Sequence, residues 1–372
     1  MAEALIEKFV KEKLAQAGIL INGSNPWDPQ VHDAHFYRAI FFQGSLGLGE
    51  AYMNGEYEVE KLDEFFFRLL DARLDREVNR SWLGIMFGLQ AFFFNLQTKE
   101  RALIVGKQHY DVGNDLFEAM LDKRMCYSCG YWKSAHNLDE AQEAKLDLIC
   151  RKIGLKPGNK VLDIGCGWGS FAKFAAERYG AHVVGITISA RQLEFAKESC
   201  RGLPVELRFQ DYRDLNEKFD HIVSIGQMEH VGYKNYQIYM EIVNRCLNED
   251  GLFLLHTIGS RASFKSGDPW LTKYIFPNGM LPSIAQLSTA SENLFIMEDL
   301  HNFGADYDKT LMAWWHSFDS HWDELKGQYD ERFYRMWKYY LLSMAGIFRA
   351  RHAQLWQIVF SKNGVKGGYS RL

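Results

Sequence analysis

The stretch VLDIGCGWGS, residues 161–170, constrains this chain more than any other. An apolar run ends in Asp163, glycines follow at the alternate positions 165, 167 and 169, and FAKFAAERYG then carries apolar residues at helical spacing. The pattern predicts a strand, a tight turn and a helix. Glycines in such a turn let backbone approach a ligand closely, at the carboxyl end of a parallel strand where doubly wound sheets bind nucleotide-like molecules. Asp163, Gly165, Gly167 and Gly169 are therefore candidate cofactor residues.

The alternation continues on both sides of this element. HVVGIT, VELRFQ, FDHIVSIG and GLFLLHTIG read as strands, with SARQLEFAKESC and YQIYMEIVNRCL as helices between them. That order predicts a doubly wound α/β sheet. Beyond Gly259 the insertion RASFKSGDPWLTKYIFPNGMLPS interrupts it, and its Trp, Tyr, Ile and Phe residues suit a lid or the wall of an apolar tunnel. FIMEDL and LWQIVFSK read as late strands, two long helical patterns lie between them, and the polar tail KNGVKGGYSRL is expected to fray.

Upstream, EALIEKFVKEKLAQAG reads as an amphipathic helix stopped by Gly18, and HFYRAIFFQ and LDEFFFRLLDARL as further helices. The glycines of GSLGLGE lack the Lys-Ser/Thr ending of a phosphate loop and read as turn residues. WLGIMFGLQAFFF, residues 82–94, is the most hydrophobic run, yet shorter than the about 20 apolar residues a membrane span needs. A core helix, a dimer contact and a segment dipping into a membrane interface all remain open for it. Polarity rises after NLQTKERA, which places an N-terminal domain at 1–95, a linker at 96–108 and a catalytic domain at 109–372.

Composition narrows the partners. A formal net charge of −4 gives no global positive field toward nucleic acid, so none is expected, and any membrane contact must be local. Aromatic residues make up 15% of the chain, enough to line an apolar ligand or meet lipid as well as fill a core. The six scattered cysteines, with no signal peptide, point to a reduced cytoplasmic compartment. Cys126 and Cys129 form a C-x-x-C without a second pair or histidines at metal spacing, so no metal is expected.

A nicotinamide site would want G-x-G-x-x-G/A and an acid about 20 residues on. Here Ser170 takes the third position and the second strand ends in Thr187-Ile188-Ser189 without an acid. Asp-x-Gly-x-Gly-x-Gly instead resembles the S-adenosylmethionine-dependent methyltransferases, whose glycine loop passes the amino acid part of the cofactor. That superfamily usually carries an acid after the second strand for the ribose. In its place Gln192 and Thr187 are candidates, while Asp211, flanked by Gln210 and Tyr212, is placed for the adenine. Each of these could equally be a helix cap or a solvated loop residue.

Further blocks single out a family. HYDVGNDLFEAML, YSCGYWK, LDIGCGWG, VGITIS, QDYRDL, EHVG, LLHTIG, KYIFPNGMLPS and HNFGADYDKTL resemble the cyclopropane-fatty-acyl-phospholipid synthases, as does GSLGLGEAYMNGEYE in the first unit. The resemblance covers nearly the whole chain. It implies a Rossmann-like methyltransferase sheet with an active-site insertion, plus a smaller, mainly helical N-terminal domain. It implies a reaction in which the cis double bond of an acyl chain in a membrane phospholipid attacks the sulfonium methyl of S-adenosylmethionine, after which the new methyl loses a proton and the ring closes. It also implies a bicarbonate ion as base, held by Cys129, Glu229, His256, Tyr307 and the backbone of Ile258, with Tyr127 and Ser128 against the cofactor. A homodimer in peripheral contact with the inner face of the membrane is expected. A related methyltransferase that leaves the olefin open or methylates a small amine is the alternative, and a non-catalytic lipid-binding protein is the reading from a different class. Cys126 is outside the motif; paired oxidatively with Cys129, it would disable that residue.

Overall fold

The computed structural model describes residues 2–74 and 113–372. The hydrophobic run 82–94 and the boundary at 96–108 lie outside the described residues. Within them the chain forms two units, and each is interrupted in sequence. Residues 265–277 and 307–353 fold with the N-terminal helices and not with the sheet, so the unit that holds the sheet comprises 113–264, 278–306 and 354–372.

The first unit is helical. Ala2–Gln16 ends before Gly18, which takes a φ of +68°. A short ribbon, β1 (Gln30–Val31) and β2 (Tyr57–Glu58), pairs antiparallel around two helices, His35–Gln43 and Ser45–Met53. The second of these corrects the turn expected at GSLGLGE. Gly44 alone breaks the chain, at φ +58°, while Gly47 and Gly49 lie inside a helix. Close packing is the reason: a Cβ on Gly47 would collide with the Ala39 carbonyl, and one on Gly49 with the Trp270 indole. Gly49→Ala is therefore expected to lower stability by about 1–3 kcal/mol through overpacking, read as a fall in the urea midpoint. An unchanged midpoint would show that the indole moves freely. The long Glu331–Arg349 helix uses the same device at Gly346, where an added Cβ would stand 2.6 Å from the Asp63 carbonyl.

The second unit carries a seven-stranded sheet. Its strands are β3 (Lys160–Ile164), β4 (His182–Thr187), β5 (Val205–Phe209), β6 (Phe219–Ile225), β7 (Leu247–Ser260), β8 (Ile296–Asn302) and β9 (Ala353–Ser361), in the order β5-β4-β3-β6-β7-β9-β8. The pairings β5-β4, β4-β3, β3-β6 and β6-β7 are parallel, and β8 runs antiparallel to β9. Because helices cover both faces, the inner strands read as unbroken apolar runs. Alternate residues serve opposite cores: Leu162, Val184 and Ile222 pack on one face, Val161, Val183 and Val223 on the other. The strand order reverses between β3 and β6, and that reversal opens a crevice at their carboxyl ends.

The tail is not frayed as expected. Tyr369 donates its hydroxyl hydrogen to the Lys152 carbonyl at 2.8 Å, and Arg371 donates to the Leu300 carbonyl at 2.9 Å and pairs with Asp299 at 2.8 Å. Asp299 in turn meets Lys152, both buried, at 3.1 Å. A polar, glycine-rich end is held here because it covers a buried ion pair. No described helix is long and apolar enough to cross a membrane.

Candidate active site

The glycine turn follows β3, with φ of +81°, +54° and +83° at Gly165, Gly167 and Gly169. Such left-handed angles favour glycine, and a Cβ on Gly165 would collide with the Gln227 side chain. Asp163, beneath the turn, is buried, and desolvation pushes its carboxyl up to about 7. After β4, the Thr187 hydroxyl accepts the Ser189 N–H at 3.1 Å and the Ser189 hydroxyl caps the next helix at the Gln192 N–H, 3.3 Å away. Gln192 is buried, its amide nitrogen 3.9 Å from where a Cβ on Gly167 would sit. The glycine turn, Thr187, Ser189 and Gln192 are thus gathered at the carboxyl ends of β3 and β4.

After β5 the structure separates the three candidates expected at the adenine. Gln210 is half-buried and its N–H donates to the Thr187 carbonyl at 3.1 Å. Asp211 accepts the Arg213 N–H at 2.9 Å and pairs with its guanidinium at 2.8 Å, so it caps the turn that follows β5. Tyr212 belongs to the core, its ring 5.0 Å from that of Tyr239.

The segment bearing Tyr127, Ser128 and Cys129 has no regular structure and is pinned by side chains. Asp122 accepts the N–H groups of Arg124 and Cys126 at 2.9 and 2.8 Å. From the Leu138–Lys152 helix, Gln142 donates to the Ser128 carbonyl and Lys145 to the Ser128 hydroxyl, both at 2.8 Å. Ser170, at the start of the helix after the glycine turn, donates to the Met125 carbonyl at 3.0 Å. The Tyr127 ring lies 5.2 Å from Phe117, which lies 4.8 Å from Trp168 in the turn itself. Tyr127 and the glycines are thus brought to one place.

Cys129 is fully buried, with its thiol 3.2 Å from the Gly130 carbonyl. Two residues on, the Tyr131 ring stands 5.3 Å from Phe303, and Phe303 stands 5.9 Å from the His256 ring. His256 lies on β7 opposite Ile225, and Gly226 donates to its carbonyl at 2.9 Å. Burial, with the positive charges of Lys145 and Lys152, holds its imidazole well below the usual range, so the ring is neutral. Gln357 on β9 places its amide nitrogen 3.3 Å from Nδ1, while Nε2 is buried with no hydrogen-bond partner among the described residues.

Glu229 reaches the same strand end from the short Met228–Val231 helix that follows β6. Its Oε1 accepts the Ile258 N–H at 2.6 Å and its Oε2 is buried without a partner among the described residues. Burial pushes the carboxyl up to about 7, against the opposing effects of the Ile258 and Glu229 N–H groups and the Thr257 hydroxyl. The Ile258 N–H, expected to face an anion, is therefore engaged by Glu229. Tyr307 lies in the first unit, on the Ala305–Ser320 helix, buried with its ring 4.5 Å from Phe348 and 5.9 Å from Trp314.

Gln357, Lys145, Gln227 and Phe303 escaped the sequence reading. Two of them left a signal: Gln357 interrupts the apolar run LWQIVF, and Lys145 falls on the apolar face of its helix beside Ala141 and Leu148. All six cysteines are buried and free, and no cluster of described residues could hold a metal ion. Desolvation pushes the Cys126 thiol up to about 12, which leaves little thiolate to alkylate or oxidise. Iodoacetamide is expected to leave Cys126 unmodified in the folded protein, as checked by peptide mass mapping. Rapid native labelling at that position would contradict it.

The Mycolic acid cyclopropane synthetase family model matches residues 97–358. The cyclopropane-fatty-acyl-phospholipid synthase of Escherichia coli K12 is 54% identical over 361 residues, spanning 97% of this chain and 94% of that protein. Among solved structures, a cyclopropane synthase from Mycobacterium tuberculosis superposes with a TM-score of 0.66 at 29% identity, covering 72% of this chain and 100% of that one. A mycolic acid cyclopropane synthase complexed with S-adenosylhomocysteine gives 0.65 at 31% identity, covering 70% and 98%. With the glycine turn and the sheet that presents it, these likenesses establish that the chain belongs to the cyclopropane-fatty-acyl-phospholipid synthase family of S-adenosylmethionine-dependent methyltransferases.

Proposed function

We propose that this enzyme adds the methyl carbon of S-adenosylmethionine across the cis double bond of an unsaturated acyl chain in a membrane phospholipid and closes it to a cyclopropane, using a bicarbonate ion as base. The observation that carries this reading is the pair of orphaned polar atoms at one strand end, His256 Nε2 and Glu229 Oε2. Buried polar atoms are ordinarily paired, and a small oxyanion carrying its own hydroxyl would satisfy a donor and an acceptor together. Cys129, Glu229 and His256 would hold it, with the Ile258 N–H fixing the Glu229 carboxyl, and when bound it supplies the base.

Asp163, Gly165, Gly167, Gly169, Thr187 and Gln192 would hold the methyl donor, with Tyr127 and Ser128 beside the glycines and Gln210 and Asp211 toward the base. When bound, the donor supplies an electrophilic methyl group. The chain must do the rest. An isolated alkene is a feeble nucleophile, so the fixed 126–131 segment has to hold the acyl chain at reacting distance. Tyr131, His301 and Phe303, whose rings lie 5.0–5.7 Å apart, present faces that tolerate developing positive charge and exclude water. With its carboxyl near 7, Glu229 is available in both protonation states at neutral pH, as donor or as acceptor toward the ion.

Residues 1–95 would provide lipid contact or dimerisation, in a homodimer peripheral to the inner, cytoplasmic face of the membrane. Support comes from Leu5, Phe9, Phe41 and Phe42, exposed on the Ala2–Gln16 and His35–Gln43 helices, with the Phe9 and Phe41 rings 5.5 Å apart. The test is methyl-labelled S-adenosylmethionine with vesicles of monounsaturated phospholipid, in buffer stripped of carbon dioxide and then supplied with bicarbonate. Label entering the lipid acyl chains, at a rate that rises on adding bicarbonate, is expected. Label confined to headgroups or small amines, or a rate indifferent to bicarbonate, would reject the reading.

A further inference from the structure

Gln357 sits where no apolar strand needs a polar residue. It is fully buried on β9, between β7 and β8, opposite His301 in register and beside His256. Its amide nitrogen lies 3.3 Å from His256 Nδ1. A neutral imidazole carries one N–H and one lone pair, and an amide nitrogen can only donate. As the amide is oriented, with its nitrogen toward Nδ1 and its Oε1 buried without a partner among the described residues, Nδ1 is the acceptor and the ring's single hydrogen sits on Nε2. Two N–H groups facing each other across this distance would leave both unsatisfied in a buried strand.

We propose that Gln357 is a positioning residue that locks His256 in the Nε2–H tautomer and so turns Nε2 into a hydrogen-bond donor toward a carboxylate-type anion. The proposal rests on the anion site described above for its chemical purpose, and on the orientation of the Gln357 amide for the tautomer. Nε2 is the atom left buried without a partner, so the lock directs a donor into the place where one is required. The neutral state of the ring, imposed by burial and the nearby lysine charges, makes the lock necessary, since an imidazolium would donate from both nitrogens without assistance.

Long-range proton–nitrogen correlation spectra of the full chain, labelled with nitrogen-15 histidine, test this. The His256 signals are identified by their loss in His256→Asn. A pyrrole-like Nε2 and a pyridine-like Nδ1 are expected in the unsubstituted protein, and Gln357→Leu should bring both resonances to intermediate values as the tautomers mix. The same substitution is expected to raise the bicarbonate concentration for half-maximal rate by about tenfold or more, the scale of losing one oriented donor. A pyrrole-like Nδ1 in the unsubstituted protein overturns the proposal, and that spectrum needs no variant to fold. Unchanged His256 resonances in Gln357→Leu overturn it as well. A pyrrole-like Nε2 in an enzyme indifferent to bicarbonate supports the Gln357 lock while rejecting the anion reading, so the two failures are distinguishable.

Discussion

Glu229→Gln is expected to abolish most activity and to make the protein more stable above neutral pH. The carboxyl is pushed from 4.5 up to about 7 by burial, so the folded state binds a proton that the unfolded chain releases earlier. Its contribution is fully present below about pH 4.5 and is lost as pH rises through 7, because a buried carboxylate must then be carried without a partner on Oε2. The shift corresponds to about 3 kcal/mol at pH 8. Glutamine keeps an oxygen for the Ile258 N–H and carries no charge, so urea melts should show the variant more stable by up to that amount at pH 8, with the gain vanishing toward pH 4.5. The turnover rate should fall by about a hundredfold or more, as for loss of an oriented polar group at the reacting centre. A variant equally destabilised at both pH values would mean that Glu229 is an ordinary structural acceptor.

Asp299→Asn is expected to produce the largest loss of stability. Lys152 and Asp299 are both buried and meet at 3.1 Å, and Arg371 closes over the same carboxylate. Desolvation already holds the Lys152 ammonium below its ordinary range, and the Asp299 charge opposes that effect. Without Asp299 the ammonium is left buried and uncompensated, which costs about 3–5 kcal/mol. The loss should shrink as pH rises and Lys152 gives up its proton, since a lysine disfavoured as a cation in the folded state recovers stability on neutralisation. Arg371→Ala, at a side chain 68% exposed, should cost at most about 1 kcal/mol. Denaturant unfolding of both variants decides this, and a loss below that of Arg371→Ala would show that Lys152 finds another partner.

Much of the sheet was legible because each inner strand is an apolar run closed by a turn residue, and the glycine turn marked the end of β3. Gly47 and Gly49 misled because a glycine-rich pattern reads as a turn, whereas here hydrogens in place of side chains permit contact with Ala39 and Trp270. The tail misled for a related reason: composition says nothing of Asp299, to which Arg371 is tied. The interleaving of 265–277 and 307–353 with the N-terminal helices is a matter of tertiary contact that no local pattern encodes. At the candidate site, His256 and Glu229 stand in motif blocks that the sequence already displays. Gln357 and Lys145, which orient His256 and Ser128, were hidden as lone polar residues in apolar patterns.

The proposed reaction requires the transferred methyl to lose one hydrogen before the ring closes. Incubation of the enzyme with S-adenosylmethionine bearing a trideuterated methyl, bicarbonate and monounsaturated phospholipid vesicles reads that step directly by mass and NMR analysis of the acyl chains. A cyclopropane whose new carbon is CD2, with the alkene consumed, is the expected product. A branch that keeps the intact CD3 group, or deuterium found outside the acyl chain, would contradict it.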